Sequence, residues 1–128
     1  MEKSNEIMSH HDLINLKYSL KYSDLNINYS STISLEAILL DKPVINYIEP
    51  SMPIFDYDHY RPLVDSGAVK LVKRNNEAMA KAITDYLTNP SLDRTNRLNL
   101  AKLYFPSRDG LAYKRNADFV DKIINENR

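Results

Sequence analysis

The chain has 128 residues, 43% apolar and 27% charged, which is typical of one soluble globular domain with a hydrophobic core. Its 17 basic and 17 acidic residues leave no net charge, which excludes binding to nucleic acid or acidic membranes through a global positive field. The absence of cysteine excludes thiol catalysis, disulfides and cysteine-based zinc sites. We find no apolar signal segment and no transmembrane segment, so we expect a cytoplasmic protein.

Helix-like and strand-like patterns alternate in the first half of the chain. A helical pattern over Asp12–Ser23, with Asp12 as the expected N-cap, precedes a short strand at Leu25–Tyr29. A second helix is predicted over Thr32–Leu40, and a second strand over Val44–Ile48. A loop rich in proline and aromatic residues follows that strand.

The second half continues the alternation and ends in three helices. A short helical turn at Pro62–Ser66 leads to a third strand at Val69–Val72. Helices are then predicted over Asn76–Thr88, Leu92–Tyr104 and Asp109–Asn125. This order indicates an α/β fold with a small parallel sheet flanked by helices, partial and Rossmann-like. Because three strands make a small sheet of this kind, we expect residues 1–128 to form one incomplete α/β domain that associates as a homo-oligomer.

Three consecutive hydroxyl residues, Ser30, Ser31 and Thr32, follow the first strand and open the second helix. Ligands bind open parallel sheets at the carboxyl ends of the strands, and a helix N-terminus attracts anions. The chain has only two glycines, so neither G-x-G-x-x-G nor a P-loop can be written, and a phosphate site would depend on such hydroxyls. The alternative is that they simply cap the helix.

Glu36 lies inside the apolar second helix, four residues after Thr32. A capping box requires a spacing of three, so Glu36 does not complete one, and it is expected on the same helical face as Thr32. We expect its carboxylate to be buried and therefore to need a partner. Ribose hydroxyls beside a bound phosphate would supply one, and so would an arginine or lysine of the protein.

The run "SSTISLEAILLDKPVI" resembles the nucleotide-binding signature of the C-terminal domain of GT-B glycosyltransferases. The form with Tyr-Ser-Ser before the helix is similar to surface and capsular polysaccharide enzymes, including CDP-glycerol glycerophosphotransferases. The runs "HYRPLVDSGAVKLVKRNNE" and "FPSRDGLAYKRNADFV" also resemble that group. The resemblance extends over about Leu13–Ile124, with its specificity mainly in Ser30–Val44.

The resemblance implies a nucleotide-sugar or CDP-polyol ligand and a transferase function in surface polysaccharide biosynthesis, without a cofactor. It places the diphosphate on Ser30, Ser31 and Thr32 and the ribose on Glu36. The chain departs from the family pattern at Asp41, where the family usually has glycine; Asp tolerates a left-handed helix end better than most residues. A GT-B enzyme also needs an N-terminal domain with the acceptor site, so we expect a missing partner domain and no catalysis by this chain alone.

Two further interpretations stay open beside this one. The chain is alternatively a non-catalytic remnant that acts as an assembly module, or a fragment similar to nucleotide-sugar 2-epimerases, which share the architecture. The loop after the second strand offers His59 and Arg61 as a possible substrate loop, although an exposed loop is the simpler interpretation. His10 and His11 lack a third ligand at matching spacing, so no metal site is predicted. The catalytic residues stay unknown.

Overall fold

The computed structural model describes residues 9–51, 58 and 60–126, which form six helices and three strands. The helices are α1 (His10–Tyr22), α2 (Ile33–Leu39), α3 (Arg61–Asp65), α4 (Asn76–Thr88), α5 (Arg94–Tyr104) and α6 (Ala112–Glu126). The strands are β1 (Asn26–Asn28), β2 (Val44–Ile48) and β3 (Lys70–Lys73). The predicted order of elements is therefore confirmed. None of the described helices combines the length and apolarity that crossing a membrane requires.

The three strands form one parallel sheet in the order β1-β2-β3. Asn26 of β1 pairs with Val44 of β2, and Ile45 of β2 pairs with Lys70 of β3. Parallel neighbours require crossover connections, which α2 and α3 provide. The predicted fold class, a small parallel sheet flanked by helices, is confirmed.

Apolar side chains cover both faces of the central strand β2. Val44 and Ile48 belong to the larger core cluster, which α1, α2, α3 and α5 complete from one side. Ile45 points to the other face and packs with Val72, Ala82 and Tyr86, the last two from α4. The period of two along β2 therefore divides the core into two layers, as expected for a sheet covered on both faces.

The first helix begins earlier than the sequence pattern predicts, and the prediction of Asp12 as its N-cap is wrong. Ser9 is the N-cap, and its hydroxyl accepts a hydrogen bond from the Asp12 backbone N–H at 3.2 Å. The Asp12 carboxylate accepts in return from the Ser9 N–H at 3.1 Å. The two residues form a capping box, so the acid lies three residues inside the helix end rather than at it.

The turn that ends α2 is tied to α5 by a carboxylate. Asp41 has a φ of 56°, which confirms the expectation that this aspartate occupies a left-handed position at the end of the helix. Its carboxylate accepts hydrogen bonds from Arg94 at 2.6 Å and from Arg97 at 3.2 Å. Arg97 is 1% exposed and also donates to the carbonyl oxygens of Leu92 and Pro90, at 2.5 and 2.8 Å. Asp41 therefore joins two elements that lie far apart in the sequence.

Candidate functional site

The hydroxyl residues predicted as a phosphate site line a cavity of about 110 Å³. Its lining residues are Ser30, Ser31, Thr32, Leu35, Tyr60, Leu63 and Tyr104. The first three follow the carboxyl end of β1, and Tyr60 belongs to the segment that follows β2. The structure thus brings the three hydroxyls together where open parallel sheets bind ligands.

Ser30 is the unusual member of this group. Its φ of 55° lies in the left-handed region, which costs a residue with a side chain about 1–2 kcal/mol. Its Oγ is buried and has no hydrogen-bond partner among the described residues. An unpaired buried hydroxyl costs a further 1–3 kcal/mol or so, and each such group in a native protein requires an explanation.

Capping explains one of the three hydroxyls. The Ser31 Oγ accepts a long hydrogen bond from the Ile33 N–H at 3.4 Å, and the Ser31 N–H donates to Oδ1 of Asn28 at 2.8 Å. Thr32 occupies the N-cap position of α2, but its backbone is already helical and its side chain makes no capping hydrogen bond. The capping alternative therefore accounts for Ser31 and leaves the hydroxyls of Ser30 and Thr32 unexplained.

A chain of hydrogen bonds between polar side chains supports the wall of the cavity. Nδ2 of Asn28 donates to the hydroxyl of Ser34 at 3.0 Å, and that hydroxyl donates to Oδ1 of Asn46 at 3.1 Å. Nδ2 of Asn46 then donates to the hydroxyl of Tyr60. Ser34 and Asn46 are fully buried. These hydrogen bonds join β1, α2, β2 and the segment before α3, so they fix Tyr60 at the cavity.

The sequence analysis missed this network, although a signal for it exists. Asn46 is the central residue of β2, between Ile45 and Tyr47, and it projects onto the same face as Val44 and Ile48. A fully buried amide in an apolar strand must find partners on neighbouring elements. In the structure, those partners are Ser34 on α2 and Tyr60 before α3.

Glu36 does not line the cavity, and the expectation that it is buried is wrong. The side chain is exposed, and Leu35 provides the wall at this turn of α2. The face of α2 toward the core consists of Ser34, Ala37 and Ile38, which leaves Glu36 on the solvent side. Its role with ribose stays a prediction.

The predicted substrate loop is only partly within the described residues. His59 lies outside them. Arg61 is the first residue of α3 and is exposed, directly after the cavity-lining Tyr60. His10 and His11 are exposed at the start of α1. Across residues 9–51, 58 and 60–126, no group of three or more potential metal ligands is placed to hold an ion.

Two buried tyrosines predict a loss of stability at alkaline pH. Burial raises the pKa of Tyr60. The Ser30 hydroxyl lies near the phenol, outside the geometry of a hydrogen bond, and it partly opposes that rise because it would stabilise the phenolate. Burial, followed by the hydrogen bond to Asp93 and its charge, raises the pKa of Tyr86. The folded state therefore favours the protonated phenols. The contribution of these two phenols to stability is fully present below the unfolded pKa of about 10. It is lost as the pH rises through the pKa values of the folded state.

We expect the free energy of unfolding in urea to fall by up to about 1.4 kcal/mol per pH unit for each tyrosine above pH 10. The Tyr86→Phe variant should show a shallower decline than the parent chain over the same range. Parallel slopes for the two proteins would contradict a raised pKa of Tyr86.

In comparisons with known proteins, the chain matches no protein-family model, no curated protein and no solved structure.

Proposed function

We propose that the chain binds the diphosphate of a nucleotide sugar or of a CDP-polyol, as the nucleotide-binding part of a transferase in surface polysaccharide biosynthesis. The observation that carries this proposal is the cavity at the carboxyl end of β1, with the buried, unpartnered Oγ of Ser30 in its wall. Rotation of the Ser30 side chain toward the cavity would let that hydroxyl donate to a phosphate oxygen, which would remove the cost of leaving it unpaired. The exposed hydroxyl of Thr32 would supply a second donor at the rim.

The size of the cavity limits which part of the ligand it holds. Sites that enclose a whole drug-sized ligand measure about 300–1,000 Å³, whereas this cavity measures about 110 Å³. A phosphate group fits such a volume, so the ribose and base would lie outside it on open surface. The exposed carboxylate of Glu36 would accept hydrogen bonds from ribose hydroxyls there. Because few groups surround the ligand, we expect binding by the chain alone to be weak, about high micromolar or weaker.

On this proposal the acceptor site and the catalytic residues belong to a partner domain or subunit. We propose that this activity lies in the cytoplasm, where a nucleotide-activated ligand would be available. A second candidate function, a non-catalytic assembly module, is favoured by α6, none of whose residues is buried. A chain that binds no nucleotide, either alone or with such a partner, would favour this second function.

Substitutions at Ser30 separate the effect of this residue on the stability of the fold from its effect on ligand binding. Ser30→Gly should raise the free energy of unfolding by about 1 kcal/mol, because it relieves the positive φ and removes the unpaired hydroxyl. It should also weaken binding of a nucleoside diphosphate about tenfold, because the hydrogen bond to phosphate is lost. Ser30→Ala retains the backbone strain and should show the binding loss with less stabilisation. Calorimetric titration with CDP, UDP, GDP and their activated sugars or polyols measures the binding.

The same titrations include two further variants of the proposed site and one control variant. Thr32→Ala should cost about 0.5–1.5 kcal/mol of binding. Glu36→Gln should weaken the binding of nucleotides and leave the binding of pyrophosphate nearly unaffected. Equal losses of affinity for both ligands would contradict the ribose role. Thr95→Ala removes an exposed hydroxyl from α5 and should leave binding unchanged. If all Ser30 variants bind nucleotide as the parent chain does, the cavity is not the diphosphate site.

A further inference from the structure

The cavity at the carboxyl end of β1 is lined by uncharged side chains. Among the described residues, its lining consists of three hydroxyl residues, two tyrosines and two leucines. The sequence between the end of β2 and Arg61 contains neither lysine nor arginine, so the segment that leads to Tyr60 adds no such cation. A phosphate in this cavity would therefore be held by neutral hydrogen-bond donors and not by a lysine or arginine of the described wall.

The charged side chains of the surrounding helices lie outside the cavity. Those on α2, α3 and α5 are Glu36, Arg61, Asp65, Arg94, Arg97 and Lys102. None of the six is among the lining residues. Arg94 and Arg97 bind the carboxylate of Asp41, and the other four are exposed, where water and salt screen their charges. The part of the chain that the structure describes thus offers no charge in contact with a phosphate in the cavity.

Neutral donors suit a phosphate with one negative charge better than a phosphate with two. The hydroxyl of Thr32 makes no capping hydrogen bond, and the phenol of Tyr104 makes no hydrogen bond to another described residue, so both can donate to a ligand. The cost of moving an ion out of water grows with the square of its charge, and a nearby cation normally offsets that cost. In this cavity a second negative charge would stay largely uncompensated.

The ligands of the proposed function differ in this charge. A free nucleoside diphosphate ends in a phosphate whose second proton dissociates with a pKa of about 6, so it is doubly charged at pH 8. In a nucleotide sugar or a CDP-polyol the same outer phosphate is a diester. It has no second proton to lose and carries one negative charge at either pH.

The walls of the cavity favour the esterified phosphate for a second reason. With the ribose and base outside the cavity, the outer phosphate is the part of the diphosphate that reaches furthest in. Leu35, Leu63 and the two tyrosine rings provide an apolar surface there. Such a surface can contact the C–H groups of the sugar or polyol on that phosphate, which a free nucleoside diphosphate lacks.

We propose that the cavity selects the activated donor over the free nucleoside diphosphate, because it accepts the outer phosphate only in its singly charged, esterified form. This inference rests on the proposed function and adds to it the charge state and the substitution of the bound phosphate. A site with this selectivity releases the free nucleoside diphosphate that remains after transfer.

Calorimetric titrations of the full chain at pH 8 and pH 5 test the selectivity. The ligands are UDP-glucose against UDP and CDP-glycerol against CDP, in EDTA so that no divalent cation neutralises the phosphates. At pH 8 each activated donor should bind about tenfold more tightly than its free nucleoside diphosphate. At pH 5 the free nucleoside diphosphate should bind about as tightly as the donor, because its outer phosphate has gained a proton. A titrating group of the protein, such as a histidine, would change the affinity for both members of each pair.

A cation placed at the rim should remove the preference. Thr32→Lys adds a positive charge at an exposed position, so it should strengthen binding of UDP more than that of UDP-glucose and reduce the tenfold ratio at pH 8 to about twofold. Thr95→Lys adds the same charge at an exposed position near the other end of α5 from Tyr104, and it should leave the ratio unchanged. Because both positions are exposed, neither variant should change the urea-unfolding midpoint by much.

The outcomes separate this inference from the proposed function. If UDP binds as tightly as UDP-glucose at pH 8, or if the ratio does not depend on pH, the selectivity is overturned, while a loss of affinity in Ser30→Gly still supports the cavity as the diphosphate site. An equal effect of Thr32→Lys and Thr95→Lys on the ratio also overturns it. If none of the four ligands binds at either pH, the proposed function itself fails, and this inference fails with it.

Discussion

Replacing Arg97 by alanine is expected to lower the free energy of unfolding by about 3–5 kcal/mol, the largest single effect that the fold predicts. The Arg97 side chain is almost fully buried, so its removal leaves a cavity. It also leaves one oxygen of the Asp41 carboxylate and the carbonyl oxygens of Pro90 and Leu92 without their donor.

Arg94 provides the matched control, since it binds the same carboxylate. Its side chain is 56% exposed, and exposed ion pairs contribute about 0–1 kcal/mol even at a distance as short as 2.6 Å. We therefore expect Arg94→Ala to cost several-fold less than Arg97→Ala in urea-unfolding measurements. Similar losses for the two variants would show that burial does not determine the strength of this contact.

The second large effect is expected at Asn46, in the centre of β2. Asn46→Leu preserves the approximate volume but leaves the hydroxyls of Ser34 and Tyr60 without the amide that joins them. We expect a loss of about 2–4 kcal/mol in the free energy of unfolding, because both hydroxyls lie in the interior. Tyr60→Phe alone should cost about 1–2 kcal/mol, since it leaves Nδ2 of Asn46 unpaired.

The double variant distinguishes a hydrogen-bonded network from simple packing. The double variant Asn46→Leu with Tyr60→Phe removes both the Asn46 amide and the Tyr60 hydroxyl. Neither group is then left unpaired by the loss of the other. The double variant should therefore lose less stability than the sum of the two single losses, by about 1 kcal/mol. Losses that simply add would indicate that Asn46 and Tyr60 act independently. Unfolding in urea measures all three variants.

The sequence alone determined the order of the elements and the class of the fold. The predicted bounds of β2 and α4 agree with the structure at every residue, and β1 is one residue shorter at each end. These features are predictable because they arise locally, from apolar periods of two and 3.6 residues and from breakers such as Pro43 and Gly67. The position of the hydroxyl run at the carboxyl edge of the sheet was also predictable, because strand ends in parallel sheets converge on one edge, and its role as a ligand site stays a prediction.

The amphipathic pattern of α6 shows the limit of that local information. Its apolar positions predict a helix with one face to be covered, and the helix forms. The pattern does not specify whether that face meets the chain's own core. Only the packed structure leaves it exposed, because the elements of this chain complete both faces of β2 without it.

The roles of individual polar residues were decided by tertiary packing. Asp41 and Arg97 are 56 residues apart, and their contact exists because α2 and α5 pack side by side. Glu36 faces solvent because Ser34, Ala37 and Ile38 orient α2, and Ser30 carries an unpaired hydroxyl because the surrounding side chains bury it. Whether a polar group is buried, and what it then binds, depends on neighbours that come from distant parts of the chain, so no local pattern specifies it.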